Sequence, residues 1–166
     1  MSENYIVING KRAELTDEQL AQLGIVTEKK NPFARTKCNE YFYTIDPAGE
    51  VSRIVEYNTE SGKQLFECAN YCTDEGIMKQ RALHETLNRL LWRYSMEHDG
   101  NKIDWRDMHQ EKFYIRIVGE SKYDWDYVVA DEAIPGIVFF YSENIAANAI
   151  KEIIEPFMKA HPDFVW

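Results

Sequence analysis

The chain contains two stretches in which short strand-like segments precede a long amphipathic segment, and this arrangement restricts the fold more than any other feature. The first stretch has a strand at Tyr41–Ile45, a turn at 46–49 and a returning strand at 51–57. In this turn Pro47 fixes a negative φ, and Gly49 can adopt a positive φ. The second stretch begins at 112–118 and ends at 136–142. This order predicts an α+β fold with antiparallel meanders and helices packed on one face.

Each stretch is predicted to form a unit of strands followed by one helix, over 38–100 and 111–160. The first unit receives a third strand at 65–71, and the second has strands at 112–118, about 123–130 and 136–141. Together the two units make up a main domain, 38–166. They could share one sheet or form two similar lobes. Their sequences show no residue-level identity, so duplication is a hypothesis.

Apolar residues at helical spacing predict the two long helices. Thr73 is the expected N-cap of the first helix, which runs to about His98. Ser142 is the expected cap of the second, and Pro156 predicts a kink or a new turn because it removes one helical hydrogen bond. The residues that define the two apolar stripes are Leu83, Leu87, Leu90 and Tyr94 in the first helix and Ala146, Ala149, Ile150, Ile153, Ile154 and Phe157 in the second.

A small strand–turn–helix unit is predicted at 1–26, before a polar and basic linker at 27–37. Its strand is Tyr5–Ile8 and its turn is Asn-Gly at 9–10. Thr16 and Gln19 fit a capping box, in which each side chain accepts from the other residue's backbone N–H. The helix is expected to end at Gly24 and to bury three leucines, Leu15, Leu20 and Leu23.

The net charge of the chain indicates which class of macromolecule it can bind. The chain has 19 basic and 28 acidic residues, and its formal net charge is −9. Such a charge repels nucleic-acid phosphates and anionic membranes and favours a basic protein surface. The alternative is that the acidity serves solubility alone. No apolar leader or membrane span is evident, and the cysteine count is odd, so a reduced cytoplasm is the expected location.

No pattern of metal ligands or catalytic residues is complete. Cys68 and Cys72 are followed by a single histidine, His84, whereas structural zinc needs four ligands. Four residues apart on a strand, the two cysteines would point to the same face, which predicts two small buried side chains. His84-Glu85 with Asn88 lacks the second histidine of a zinc protease and indicates a surface His–Glu pair.

Two acidic pairs, Asp104 with Asp107 and Asp124 with Asp126, have the chemistry of magnesium ligands. Nucleases that use such pairs also need a basic groove, which the composition does not indicate. There is also no phosphate-binding glycine loop, catalytic triad or nucleophile elbow. The sequence therefore predicts no metal, no cofactor and no enzymatic activity.

The segment 120–132 is the most distinctive candidate for partner binding. It holds five acidic residues against one Lys, with three aromatic residues alternating along a predicted strand. Aromatic anchors with an acidic rim suit a basic protein surface. Alternatively, the aromatic residues enter the core and the acids only meet water. The predicted partner-binding residues are Glu120, Tyr123, Asp124, Trp125, Asp126, Tyr127, Asp131 and Glu132.

Several of these motifs together resemble a protein family. The strand at Tyr41–Ile45 with 46–51, then Asn-Tyr-Cys-Thr at 70–73, Lys-Phe-Tyr-Ile at 112–115 and the helix start at 141–150 resemble small acidic accessory proteins of phages, prophages and other mobile elements of gut bacteria. Ala69 stands where that family often has Gly, and Asp74 where it has Glu. The resemblance covers roughly 38–160, and its motifs are structural, so no catalytic residue carries over.

The resemblance implies a non-enzymatic protein that binds a macromolecular partner in the cytoplasm of a host bacterial cell. Some small acidic phage proteins inhibit host defence, including anti-CRISPR proteins. The most concrete expectation is therefore an inhibitor of a host defence nuclease, whose carboxylates imitate phosphates and occupy a basic channel. The alternatives are a phage replication or structural accessory subunit, and a ligand-sequestering protein or small enzyme with a pocket between the lobes.

Overall fold

The computed structural model describes residues 5–8, 11–24, 31–107, 109–117, 125–129 and 133–165. The fold is α+β, as predicted. The chain divides into two compact units, Met1–Ala34 and Arg35–Trp166. The predicted division into 1–26, a linker at 27–37 and 38–166 stays a prediction, because residues 25–30 lie outside the described ranges.

The first unit is an antiparallel strand pair followed by a short helix. Strand β1, Tyr5–Ile8, pairs with β2, Lys11–Glu14, and helix α1 is Asp17–Gln22. The predicted turn at 9–10 lies outside the described residues.

The predicted capping box at the start of α1 is confirmed. The N–H of Thr16 donates to Oε1 of Gln19 at 2.9 Å, and the N–H of Gln19 donates to Oγ1 of Thr16 at 3.3 Å. Of the three leucines expected inside, Leu20 is buried and Leu15 is half-buried. The expectation for Leu23 was wrong: it is exposed, because it follows the last residue of the helix.

The second unit begins with the predicted hairpin. Strand β3, Tyr41–Ile45, pairs with β4, Val51–Val55, from Tyr41 opposite Val55 to Ile45 opposite Val51. Oδ1 of Asp46 accepts the N–H groups of Ala48 and Glu50 at 2.8 and 2.9 Å. Gly49 has φ +93°, which explains why glycine follows Pro-Ala in this turn.

The third strand predicted at 65–71 is wrong. Helix α2, Glu60–Glu67, occupies most of this segment, and Oγ1 of Thr59 caps it by accepting the N–H of Gly62 at 3.2 Å. Only Cys72 joins the hairpin, through an isolated antiparallel bridge to Tyr43. The Thr59 cap and the glutamate after it favour a helix in the segment for which a strand was predicted.

The first long helix, α3, is Glu75–Glu97, which agrees with the prediction apart from its cap. Asp74 is the N-cap in place of Thr73, since Oδ1 of Asp74 accepts the N–H of Ile77 at 2.9 Å. Beyond His98 the chain turns through Asp99, at φ +66°, into a 3₁₀ turn at Gly100–Lys102. The residues of α3 that are buried are Met78, Ala82, Leu87, Leu91, Tyr94 and Ser95.

The second unit also contains a three-stranded sheet, which we call the second sheet and which holds the strands predicted after α3. They are β5, Phe113–Ile117, β6, Trp125–Val129, and β7, Phe139–Phe140. Their order is β6-β5-β7, and both pairs are antiparallel. The described strands of the two stretches thus lie in separate sheets.

The C-terminal helix is interrupted where proline predicted a break. Helix α4, Glu143–Ala149, continues through a π-helical turn, Ile150–Ile154, into α5, Glu155–Ala160. Pro156 lies in the first turn of α5, where its missing N–H costs nothing. The predicted cap at Ser142 is confirmed, with Oγ accepting the N–H of Ile145 at 3.4 Å.

The main core lies among α3, the second sheet and the C-terminal helices. Both predicted apolar stripes contribute to it, and its buried members are Leu87, Leu91, Tyr94, Phe113, Phe140, Ala146, Ala149, Ile154, Phe157, Met158 and Phe164. A smaller cluster joins the hairpin to the start of α3 through Ile45, Cys72, Met78 and Ala82. In the described ranges, no helix is long and apolar enough to cross a membrane.

Candidate functional site

The acidic segment 120–132 is only partly described. The predicted strand is confirmed as β6, whose register sets Asp126 opposite Arg116 and Tyr127 opposite Ile115. Among the described strands β6 pairs with β5 alone, so it forms one edge of the sheet. Five of the predicted partner-binding residues lie outside the described residues: Glu120, Tyr123, Asp124, Asp131 and Glu132. Their role, like that of Trp125, Asp126 and Tyr127, stays a prediction.

A groove between α3 and the segment that precedes β7 is the clearest binding surface in the described part of the chain. Its volume is about 450 Å³. We call it the α3 groove and define it by Glu85, Asn88, Arg89, Trp92 and 136–138. The four helix residues stand at positions i, i+3, i+4 and i+7, so their Cβ atoms share one side of α3.

An apolar well of about 220 Å³ adjoins this groove. Its mouth has the polar side chains of His84, Glu85 and Asn88. Glu85, Asn88 and 136–138 line both the well and the groove, so the well opens into the groove. The remaining walls are apolar and belong to the core, namely Leu91, Ile115, Phe140 and Ile154.

Trp92 is the most exposed large side chain of the groove. Its exposed fraction is 60%, and Ile137 across the groove is also exposed. Tryptophan is highly buried on average, and it is enriched among the residues that dominate binding energy at interfaces. Sequence reasoning missed it, although a signal existed. Trp92 lies off the apolar stripe of α3, directly before Arg93.

The charged side chains among the described residues that line the groove are Glu85 and Arg89. The one acidic residue of the groove, Glu85, is already engaged, since its Oε1 accepts from Nε of Arg81 at 2.8 Å. Arg89 and Arg93 are exposed, and neither forms an ion pair with another described residue. Nη2 of Arg89 makes a long contact of 3.4 Å with Oγ1 of Thr86. The Arg89 guanidinium lies toward Gly49, where an added Cβ would be 2.9 Å from Nη2, and Arg93 lines a neighbouring pocket with Ala48 and Thr86 instead of the groove.

The C-terminal segment is bound to α3 through His84, which also lines the well, and through Gln80. Nε2 of His84 donates to the carbonyl of Val165 at 2.9 Å, and its ring meets the edge of Phe164. The amide of Gln80 donates to the carbonyl of Asp163 at 2.8 Å and accepts the N–H of Val165 at 2.9 Å. The predicted surface pair of His84 with Glu85 is therefore wrong, because His84 fixes the C-terminal segment and Glu85 pairs with an arginine.

A buried carboxylate, Glu56, organises a different part of the second unit. Its side chain is 0% exposed and receives Nε and Nη2 of Arg35 at 3.1 and 3.2 Å. The hydroxyl of Tyr71 and the N–H of Asn58 donate to it at 3.2 and 2.6 Å. The hydrogen bonds from Arg35 hold the pKa of Glu56 below its ordinary value, and burial raises the pKa of Tyr71. The hydroxyl of Tyr71 in turn accepts the N–H of Thr36 at 3.1 Å. The cluster thus binds residues 35 and 36, at the start of the second unit, to Glu56 and Tyr71.

The cysteines and the carboxylate pair at 104–107 have local structural roles. Cys72 is buried, as predicted, but Cys68 is exposed at the end of α2 because the segment is helical there. Asp104 and Asp107 each accept a backbone N–H, from Arg106 at 2.9 Å and His109 at 2.8 Å. Within the described ranges no group of three or more His, Cys, Asp or Glu could hold a metal ion.

Comparisons with protein-family models, curated proteins and solved structures find no match to this chain. The resemblance to phage accessory proteins stays a prediction.

Proposed function

We propose that this chain is a non-enzymatic binding protein and that the α3 groove is its contact surface for a macromolecular partner. The observation that carries the proposal is the open apolar well beside the exposed indole of Trp92. A pocket that receives one side chain, next to an exposed aromatic residue, is the arrangement that gives protein interfaces most of their binding energy.

The ionisable groups support a binding role more than a catalytic one. Catalytic acids and bases are usually shifted in pKa and collected in a cleft. Here the described groups with a shifted pKa lie in ion pairs or in the core, where neighbouring charges and burial account for the shifts. The shifted groups are Arg35, Glu56, Tyr71, Glu75, Lys79, Tyr94 and Lys102.

Two matched substitutions test the proposal. Trp92 and Tyr57 are exposed to nearly the same extent, 60% and 62%, but only Trp92 lines the groove. Trp92→Ala should reduce recovery of the partner by at least tenfold in quantitative affinity capture from the cell of origin, and Tyr57→Ala should leave it unchanged. Thermal melts establish that both variants are folded. Equal recovery by the two variants would remove the groove from the interface.

A narrower proposal concerns the identity of the partner. The chain would inhibit a host defence nuclease, with the acidic segment 120–132 occupying a basic channel. The net charge of −9 supports this, as does the place of β6 at the edge of its sheet, where an added partner strand finds free backbone groups. In the register of the two strands, Asp126 is set opposite Arg116, which is exposed.

Neutralising the acidic segment tests this narrower proposal. The substituted residues are Asp124→Asn, Asp126→Asn, Asp131→Asn and Glu132→Gln. The quadruple variant should lose inhibition of plasmid cleavage by an RNA-guided nuclease, because rim charges govern association and are screened beyond about 8 Å at physiological salt.

The control is a second quadruple variant with the same loss of charge at exposed positions elsewhere in the chain. Its members are Glu60→Gln, Glu97→Gln, Glu111→Gln and Glu155→Gln. It should inhibit as the parent protein does. If the parent protein has no effect on cleavage at any salt concentration, or if both variants lose inhibition equally, the acidic segment is not a specific phosphate mimic.

A further inference from the structure

We infer that the second unit has a separate binding site for a small aromatic phosphomonoester, of which a nucleoside monophosphate is the simplest example. The site is a pocket of about 350 Å³ on the flank of α3 that faces the β3–β4 turn. We call it the turn pocket and define it by Ala48, Thr86, Arg89, Leu90, Trp92 and Arg93. The inference goes beyond the proposed function, because it concerns a different pocket and a small ligand.

Glycine at position 49 brings the turn directly against α3. Gly49 has φ +93°, and a Cβ added there would lie 2.9 Å from Nη2 of Arg89 and 3.0 Å from Oγ1 of Thr86. Nη2 of Arg89 is in turn 3.4 Å from Oγ1 of Thr86. The guanidinium group and the hydroxyl group therefore share one corner of the pocket, beside the Cα of Gly49.

Two arginines give the turn pocket its charge. Thr86, Arg89 and Arg93 stand at positions i, i+3 and i+7, so they lie on one side of α3. Among the described residues no acidic side chain lines the pocket, and neither arginine forms an ion pair with any of them. Glu50 lines the adjoining depression instead. The pocket is thus locally cationic on a chain whose net charge is −9.

The donor groups favour a phosphate group as the part of the ligand that is bound here. A phosphomonoester carries about −1.5 to −2 charges at neutral pH and three strong acceptor oxygens. Two guanidinium groups match this charge and supply paired N–H donors to the oxygens. A carboxylate carries a single charge, which one arginine neutralises. Two arginines beside a hydroxyl group therefore fit a phosphate better than a carboxylate.

The indole of Trp92 indicates what the phosphate is attached to. Trp92 is 60% exposed and lines the turn pocket as well as the α3 groove. Leu90, which is half-buried, adds apolar surface to the pocket. Stacking of a base on an aromatic side chain increases affinity about fivefold or more. A sugar phosphate would leave this surface unused, so a ligand with a planar aromatic group is the better fit.

A single-stranded nucleic acid is the main alternative, since tryptophan and arginine also form stacking platforms along a strand. The net charge of −9 opposes a polyanion over the whole molecule. A mononucleotide brings one phosphate group to the pocket and meets less of this repulsion. The mononucleotide is therefore the favoured ligand.

The probe for the test is adenosine monophosphate, titrated into the isotope-labelled full chain and followed by amide NMR shifts. The expected result is saturable shifts centred on 48–49 and 86–93. Adenosine should bind about fivefold more weakly or less well still, because it lacks the charge that pairs with the arginines. Ribose phosphate should also bind about fivefold more weakly, because it lacks the base that stacks on the indole.

Matched variants assign each part of the ligand to its side chain. Arg93→Gln should weaken binding of adenosine monophosphate about fivefold and leave adenosine unaffected. Trp92→Ala should weaken binding of adenosine monophosphate about fivefold and leave ribose phosphate unaffected. Arg106→Gln removes the same charge as Arg93→Gln from an exposed residue outside the pocket and should leave all three ligands unaffected. Thermal melts establish that the variants are folded.

Four results overturn the inference. They are binding of adenosine as tight as that of its monophosphate, equal losses for Arg93→Gln and Arg106→Gln, no saturable shift at the turn pocket with millimolar adenosine monophosphate, and tighter binding of benzoate or of an oligothymidine.

Recovery of the natural partner by Arg93→Gln separates this inference from the proposed function. Arg93 lines the turn pocket and not the α3 groove. Arg93→Gln should therefore recover the partner as the parent protein does while it loses affinity for adenosine monophosphate. A failure of the nucleotide titration leaves the comparison of Trp92→Ala with Tyr57→Ala unaffected, because that comparison uses the natural partner and no nucleotide.

Discussion

Leu87→Ala should destabilise the second unit by about 3–4 kcal/mol. Leu87 is 0% exposed and lies in the main core between α3, the second sheet and the C-terminal helices. The substitution removes three carbon atoms, worth about 0.8 kcal/mol each on transfer from water, or about 2.4 kcal/mol. A cavity that the neighbours fill only in part adds about 1 kcal/mol. The measurement is a urea titration followed by circular dichroism at 222 nm.

Ile77→Ala is the control, because Ile77 lies on the same helix with an exposed fraction of 39%. It should cost about 1 kcal/mol or less, since only part of its side chain leaves water and alanine favours the helix. A loss below about 0.5 kcal/mol for Leu87→Ala, or a loss no larger than that of Ile77→Ala, would show that the buried face of α3 is misassigned.

Gly100→Ala should destabilise the fold by about 1–3 kcal/mol in thermal melts, because a Cβ would lie 2.7 Å from the carbonyl oxygen of Ser95; an unchanged melting temperature contradicts this contact. Thr44→Val should be neutral or slightly stabilising, because the buried Thr44 hydroxyl has no hydrogen-bond partner among the described residues; a clear loss in urea titrations would reveal a hidden partner. The pKa of Glu56 is held below its ordinary value of 4.5 by Arg35, so this carboxylate stabilises the protein above that pH and the contribution disappears as pH falls through the lower folded value. Glu56→Gln should accordingly flatten the decline of unfolding free energy on acidification, and an unaltered slope would contradict the pairing.

Local signals in the sequence were sufficient for most of the elements. The capping box at Thr16 and the cap at Ser142 each depend on residues three positions apart. The apolar stripe around Leu87 depends on helical periodicity. Pro156 acts on its own backbone, so the break before α5 was also predictable. These features need no information from distant parts of the chain.

Helix α2 was missed because its position depends on a tertiary contact. A Cβ on Gly62 would lie 3.0 Å from Oε1 of Glu56, so glycine lets the helix approach the buried carboxylate closely. Glycine lowers helix propensity, and its reason for being there appears only when Arg35 and Tyr71 are brought to the same carboxylate. No local pattern connects these residues, which are far apart in the sequence.

The candidate site was not predictable for the same reason. The α3 groove exists because α3 meets 136–138, more than forty residues further along the chain. The sequence directed attention to the aromatic and acidic segment 120–132, whose composition is unusual. Trp92 was less conspicuous because it is embedded in a helix with many other apolar residues.

Site-specific photo-crosslinking tests the central claim, that the α3 groove is the contact surface, most directly. A benzophenone amino acid would replace Trp92 in one variant and Tyr57 in another, and both would be irradiated in the cell of origin. The account predicts that one partner is crosslinked at position 92 and that the same partner is not crosslinked at position 57. Crosslinking of the same partner at position 57 and not at position 92 would contradict the account.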